Sequence, residues 1–297
     1  MKTLTAILIS SVFASAAASA QTTNTPTPTA GVQAFLNVLN SGKGKPMEQM
    51  TPQEARQVLI GAQQGAKLPP AQVSEKTIQV NGQAIKLKIV KPENASGTLP
   101  AFMFFHGGGW VLGDFPTHER LIRDLVRASG AAAVYVDYTP SPEAHFPVAI
   151  NQAYEVTKWV AEHGQEIGVD GSRLGLVGNS VGGNMVASVA LQAKQFNGPK
   201  IRYNVMLWPV TDANFDTASY NQFENGYFLS KNMMKWFWDN YTTSAADRNN
   251  ILASPLRAST AQLKGFPETL IQTAELDVLR DEGEAFGRKL DAAGVPV

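Results

Sequence analysis

The chain has 297 residues, 25 Lys and Arg against 25 Asp and Glu, and no cysteine. That length can bury one sizeable core, which predicts a single main domain with a small appendage. Balanced charge leaves no field to steer a polyanion, so nucleic acid is not an expected partner, and without thiols neither a disulfide framework nor a thiolate metal site can form.

Residues 1–20 read as a signal peptide: Lys2 is the basic start, Leu4 to Phe13 the apolar stretch, and Ala18-Ser19-Ala20 the small-residue site before Gln21. The apolar stretch is too short for a transmembrane anchor. The expectation is therefore export, with the protein periplasmic or secreted. Residues 21–30, rich in Thr, Pro and Asn, read as a flexible spacer. Helical periodicity follows through Phe35, Leu36, Val38 and Leu39, then through Ala55, Val58 and Leu59 behind Thr51-Pro52. These helices, within 31–75, precede the sheet, where a lid could sit.

From residue 76 onward the pattern becomes that of a mixed domain. Thr77 to Val80 and Ile85 to Val90 alternate around Asn81-Gly82, a hairpin signal, and Ala101 to Phe105 is a wholly apolar strand. Thr117 reads as the cap of a helix ended by Gly130, Ala131 to Val136 as a buried strand, and Pro147 as the start of a helix ended by Gly164. Arg173 to Val177, Ile201 to Leu207 and Thr269 to Thr273 complete the strands. Repeated β-α-β order with apolar strands predicts an α/β fold: a mostly parallel sheet with helices on both faces and its site beyond the strands' carboxyl ends.

Gly178-Asn179-Ser180-Val181-Gly182 is a G-x-S-x-G at a strand-to-helix junction, where flanking glycines permit a strained turn that exposes the serine hydroxyl. A chain this long carries the bare pattern by chance roughly one time in ten, so its position is what gives it weight. The plain alternative is a glycine-rich helix start packed on the sheet. His106-Gly107-Gly108-Gly109-Trp110 follows the Ala101 to Phe105 strand and is far more specific. Bare N–H groups of Gly107 and Gly108, with that of Val181, are assigned to an oxyanion hole. No Gly-x4-Gly-Lys-Ser/Thr, dinucleotide or metal-ligand spacing is present, so no cofactor and no metal are expected.

Taken with Val136-Asp137-Tyr138, Ser141-Pro142-Glu143, Gly178 to Asn184 and Asp277 to Gly283, these motifs make the chain from Ile89 to its end resemble the hormone-sensitive-lipase family of α/β-hydrolase esterases, bacterial family IV. The resemblance implies a serine carboxylesterase that acts on a small-molecule ester without cofactor. It also implies a lid built from the N-terminal helices and an insertion at about 211–250, a segment rich in aromatic residues. By the same likeness Asp277, just after the Thr269 to Thr273 strand, is the acid of a Ser-His-Asp triad. Asp281 competes and reads better as a helix N-cap with Glu284 three residues on.

Two features depart from that pattern. The family's nucleophile motif usually reads GDSAG or GTSAG, where this chain has Asn179 and Val181, and Thr139-Pro140 replaces an arginine after the Asp-Tyr pair. The triad order is serine, acid, histidine, yet His106, His118, His145 and His163 all precede Ser180. His118 and His163, near helix ends, read as solvated. The expectation is that the sequence stops short of its catalytic histidine, about a dozen residues past Val297, and is inactive as given. Two other readings stand beside the esterase: a catalytically dead ligand-binding relative, as among the gibberellin receptors, and an amidase or peptidase of the same fold.

Overall fold

The computed structural model describes residues 26–297 apart from residues 43 and 64; the signal segment and half of the spacer lie outside the described residues. Helices α1 (Ala30–Ser41) and α2 (Pro52–Ala62) come first. A capping box starts α2: Thr51 accepts from the Glu54 N–H while Glu54 reaches back to the Thr51 N–H. Of α1 only Leu36 is buried, so the other apolar residues of its helical pattern face outward.

Strands β1 (Ala71–Val80), β2 (Gln83–Pro92), β3 (Leu99–Phe105), β4 (Ala132–Val136), β5 (Val169–Asn179), β6 (Ile201–Leu207) and β7 (Thr269–Gln272) form one sheet in the order β1-β2-β4-β3-β5-β6-β7. β1, β2 and β4 pair antiparallel, and every pair from β4 to β7 is parallel. The hairpin lies where Asn81-Gly82 places it, both residues at positive φ, but its strands are longer than alternation alone indicates.

The connecting helices are α3 (Phe115–Ser129), α4 (Val148–His163), α5 (Val181–Gln195), α6 (Ala218–Gln222), α7 (Lys231–Tyr241), α8 (Ala245–Asn249), α9 (Thr260–Leu263) and α10 (Arg280–Ala292). Part of one sheet face is covered by α3, whose Ile122 and Val126 pack with Phe102, Phe104, Tyr135 and Val177. The other belongs to a larger core reaching α4, α5 and α7. Each fully buried aliphatic side chain here contributes about 1.5–3 kcal/mol.

Asp114, not Thr117, is the N-cap of α3. Its carboxylate accepts the Thr117 N–H, and Thr117 returns the bond to the Asp114 N–H from three residues in. Asp281 is likewise no N-cap: α10 begins after Leu279 without a side-chain cap. Asp281 instead accepts the Ser219 N–H at 2.7 Å and pairs with Arg280, tying α10 to α6. In both cases a tertiary or reciprocal partner claimed a side chain that local spacing assigned differently. No described helix is long and apolar enough to cross a membrane.

Candidate active site

β5 ends at Asn179 and α5 begins at Val181, so Ser180 alone makes the turn. It adopts φ 55° and ψ −121°, a conformation costly for any residue with a Cβ. The turn is held from both sides. The Ser180 N–H donates to Leu207 O at 2.9 Å, and its carbonyl accepts from Val210 N–H at 3.1 Å. Glycine is required around it because a Cβ on Gly178 would meet Gly182 O at 2.2 Å, and one on Gly182 would meet Phe105 O at 1.9 Å. Ser180 is half-buried, and its hydroxyl has no hydrogen-bond partner among the described residues.

The His106 to Gly109 loop leaves the end of β3, the strand beside β5. A Cβ built on Gly107 would lie 3.1 Å from the Ser180 Cβ, so this loop runs against the serine. Its peptides are fixed one by one. His106 Nδ1 lies 2.8 Å from Gly107 O, and since a carbonyl only accepts, the ring carries its proton on Nδ1. In a planar trans peptide the N–H points opposite the C=O, so holding Gly107 O aims the Gly108 N–H. Gly108 O accepts from Val111 and Leu112 N–H at 3.1 and 2.7 Å, which aims the Gly109 N–H in the same way. Positive φ at Gly108 and Gly109, 111° and 65°, makes this path one for glycine.

Of the three assigned donors, Gly108 and Val181 have N–H groups with no acceptor among the described residues. Gly107 does not fit its assignment: its N–H already donates to Asn179 Oδ1 at 3.1 Å. The free amide beside Gly108 is that of Gly109, which sequence reasoning passed over because the three glycines look alike until their carbonyl partners are known. The branched side chain of Val181 is fully buried, so it faces the core.

Asp277 follows β7, two strands from β5 and about 10 Å across the sheet. It is half-buried, and burial pushes its carboxyl up to about 6, partly opposed by the Leu279 N–H donating at 3.1 Å. Asp281 points instead to Ser219 and Arg280. Glu282 is buried nearby, accepts the Thr211 N–H at 2.6 Å, and is raised well above the carboxylate range by burial. Thus Ser180 and Asp277 share one edge of the sheet.

None of the four histidines is hydrogen-bonded to either residue. His106 is buried between Tyr138 and Tyr135, stacked at 4.3 and 5.5 Å. His118 is buried as well, contrary to its reading as solvated, because α3 turns it inward against His106 and Phe104. His145 Nδ1 meets Asn240 O at 2.8 Å, and His163 is exposed beside Glu166. The aromatic segment after β6 contributes mainly to the core: Tyr220, Phe223, Phe237, Trp238 and Tyr241 are buried, and Tyr241 stacks on Trp110 at 3.8 Å. Arg56 of α2 binds the segments after β3 and β4, donating to Val111 O and Ser141 O and pairing bidentately with Glu143.

A model of the alpha/beta hydrolase fold matches residues 102–297. Among solved structures, a thermostable esterase from Pseudomonas putida is 67% identical, with a TM-score of 0.88 over 90% of this chain and 84% of that one. An ethyl acetate hydrolase of Pseudomonas putida is 32% identical over 89% of this chain and 86% of its own length. A carboxylesterase of Mycobacterium tuberculosis is 32% identical over 77% of this chain and 73% of its own.

Proposed function

This chain belongs to the alpha/beta hydrolase fold family, and from that premise we propose that it hydrolyses carboxylic esters of short to medium acyl chains, with Ser180 as nucleophile. The observation that carries the reading is the strained turn at Ser180 set beside free N–H groups of Gly108, Gly109 and Val181. Relatives that are esterases and an ethyl acetate hydrolase support the substrate class.

In this mechanism the Ser180 Oγ bonds to the ester carbonyl carbon while its proton passes to a histidine that follows Asp277 in chain order. The carbonyl oxygen becomes an oxyanion held by the three N–H groups, each worth about 10²–10³ in turnover in comparable sites. Collapse breaks the carbon–oxygen bond to the alcohol, which leaves with the histidine's proton. Water then adds to the acyl-serine, giving its proton to the same histidine, and the acid departs as Ser180 is reprotonated. Asp277 stabilises the imidazolium in both halves. α1, α2 and the segment about 211–250 serve as the lid and acyl-pocket wall; for α2 this is supported by the Arg56 clamp onto the loop after Gly109.

The full gene product should turn over 4-nitrophenyl acetate, and Ser180→Ala should lower kcat by about 10⁶-fold. Hydrolysis undiminished in that variant would overturn the assignment. Export belongs to the same proposal: mass spectrometry of the mature protein should find Gln21 at its N-terminus, whereas an N-terminus at Met1 or Lys2 would contradict it.

A further inference from the structure

Asn179 is the last residue of β5, directly before the nucleophile, and its side-chain amide bridges two elements. Its Oδ1 accepts the Gly107 N–H at 3.1 Å, and its Nδ2 lies 3.4 Å from His118 Nε2. The direction of each bond is forced. Gly107 N–H can only donate, so Oδ1 faces it. Nδ2 can only donate in turn, so His118 Nε2 accepts and the ring proton sits on Nδ1. There it faces Thr117 Oγ1 at 3.0 Å and Asp114 O at 3.3 Å. Thr117 Oγ1 itself donates to Asp114 O, which leaves its lone pair for the ring. A one-way chain of hydrogen bonds thus runs from Gly107 through Asn179 and His118 to the N-cap of α3.

Gly107 is also packed hard on this amide: a Cβ there would come within 2.6 Å of Asn179 Nδ2 and 2.8 Å of Asn179 O. With its N–H held by Asn179 and its C=O by His106, Gly107 has both flanking peptides fixed, and the second of these carries the Gly108 N–H. We propose that Asn179 is a positioning residue for ester hydrolysis, locking the oxyanion loop to the nucleophile turn through Gly107, with the His118 ring orienting its amide. This rests on the esterase reading for its kinetic consequence but not for its geometry.

The test compares Asn179→Leu and Asn179→Asp in the full gene product, with 4-nitrophenyl acetate kinetics and hydrogen exchange at residues 107–109. Leucine keeps the shape and removes the acceptor, so kcat should fall roughly 10- to 100-fold, the scale of a misplaced catalytic group, while KM stays within about twofold. Exchange of the Gly107 amide should quicken. Aspartate still accepts that N–H and should keep both kcat, within about threefold, and slow exchange. An Asn179→Leu enzyme with wild-type kcat, or an Asn179→Asp enzyme as slow as Asn179→Leu, would overturn the proposal. So would unchanged Gly107 exchange in Asn179→Leu. Should leucine prevent folding, Asn179→Ser, too short to reach Gly107, carries the same expectations. If the wild-type protein hydrolyses no ester, the esterase reading fails, and the exchange comparison alone decides the role of Asn179.

Discussion

At the scale of single residues, the oxyanion loop depends on two imidazoles that must stay neutral. Burial pulls His118 down to about 4 and His106 to about 3, the latter lowered further by its neighbour His118. Both titrate lower folded than unfolded, so their contribution to stability is complete above about 6.5 and is lost as pH falls through those values. Thermal midpoints should therefore drop between pH 6.5 and 4, and His118→Gln, neutral throughout, should flatten that slope. An unchanged slope would contradict the neutral ring. Asp277 carries the opposite sign: raised to about 6, it favours the fold when protonated, a contribution present below 3.8 and lost as pH rises through 6. Asp277→Asn keeps the Leu279 N–H bond and should melt higher than wild type at pH 7, while kcat falls about 10⁴-fold. Equal activity would remove Asp277 from the triad. Ser180 was legible as a candidate because strand, turn and glycine spacing are local patterns, and Asp277 because the Asp277 to Gly283 segment resembles that of the esterase family. That Gly107 is spent on Asn179 while Gly109 is free was not, since it depends on a partner 72 residues away.

At the scale of elements, β5, the Ser180 turn and α5 pack tightly because glycines let backbone meet backbone. Gly182→Ala would drive a methyl to 1.9 Å from Phe105 O, where no flexible side chain can yield. Overpacking of this kind costs about 1–3 kcal/mol or more, read as a lowered denaturation midpoint. A variant as stable as wild type would show that β3 and α5 are less closely packed. Strand identity was readable from the sequence pattern, and β6 begins and ends at Ile201–Leu207, the bounds read there. Helix starts were less so. Thr117 lies at the three-residue spacing of a capping box but as its inner member, with Asp114 as the cap, and Asp281 and Ser219 trade bonds across 62 residues, which a local spacing rule does not see.

For the whole molecule, the sheet explains why a serine from β5 and an acid after β7 lie at the same end: parallel strands bring their carboxyl ends to one edge. The apolar strand pattern predicts cover on both faces, and one face is only partly covered. Beside α3 a groove of about 720 Å³ is lined by Phe102, Leu125, Val177, Tyr203 and Val205. Leu270, aligned with Val205, is 48% exposed. The protein should bind a fluorescent apolar dye there, and Leu270→Lys should weaken binding with a stability change within about 0.5 kcal/mol. Dye binding untouched by lysine would place the exposed surface elsewhere.

The central claim is that Ser180 is the nucleophile, and the most direct measurement is to label the full gene product with a fluorophosphonate and map the adduct by mass spectrometry. One adduct per chain on Ser180, with ester hydrolysis lost in proportion, is the result predicted. Hydrolysis that survives complete labelling of Ser180, or an adduct on another residue that abolishes it, would contradict the account.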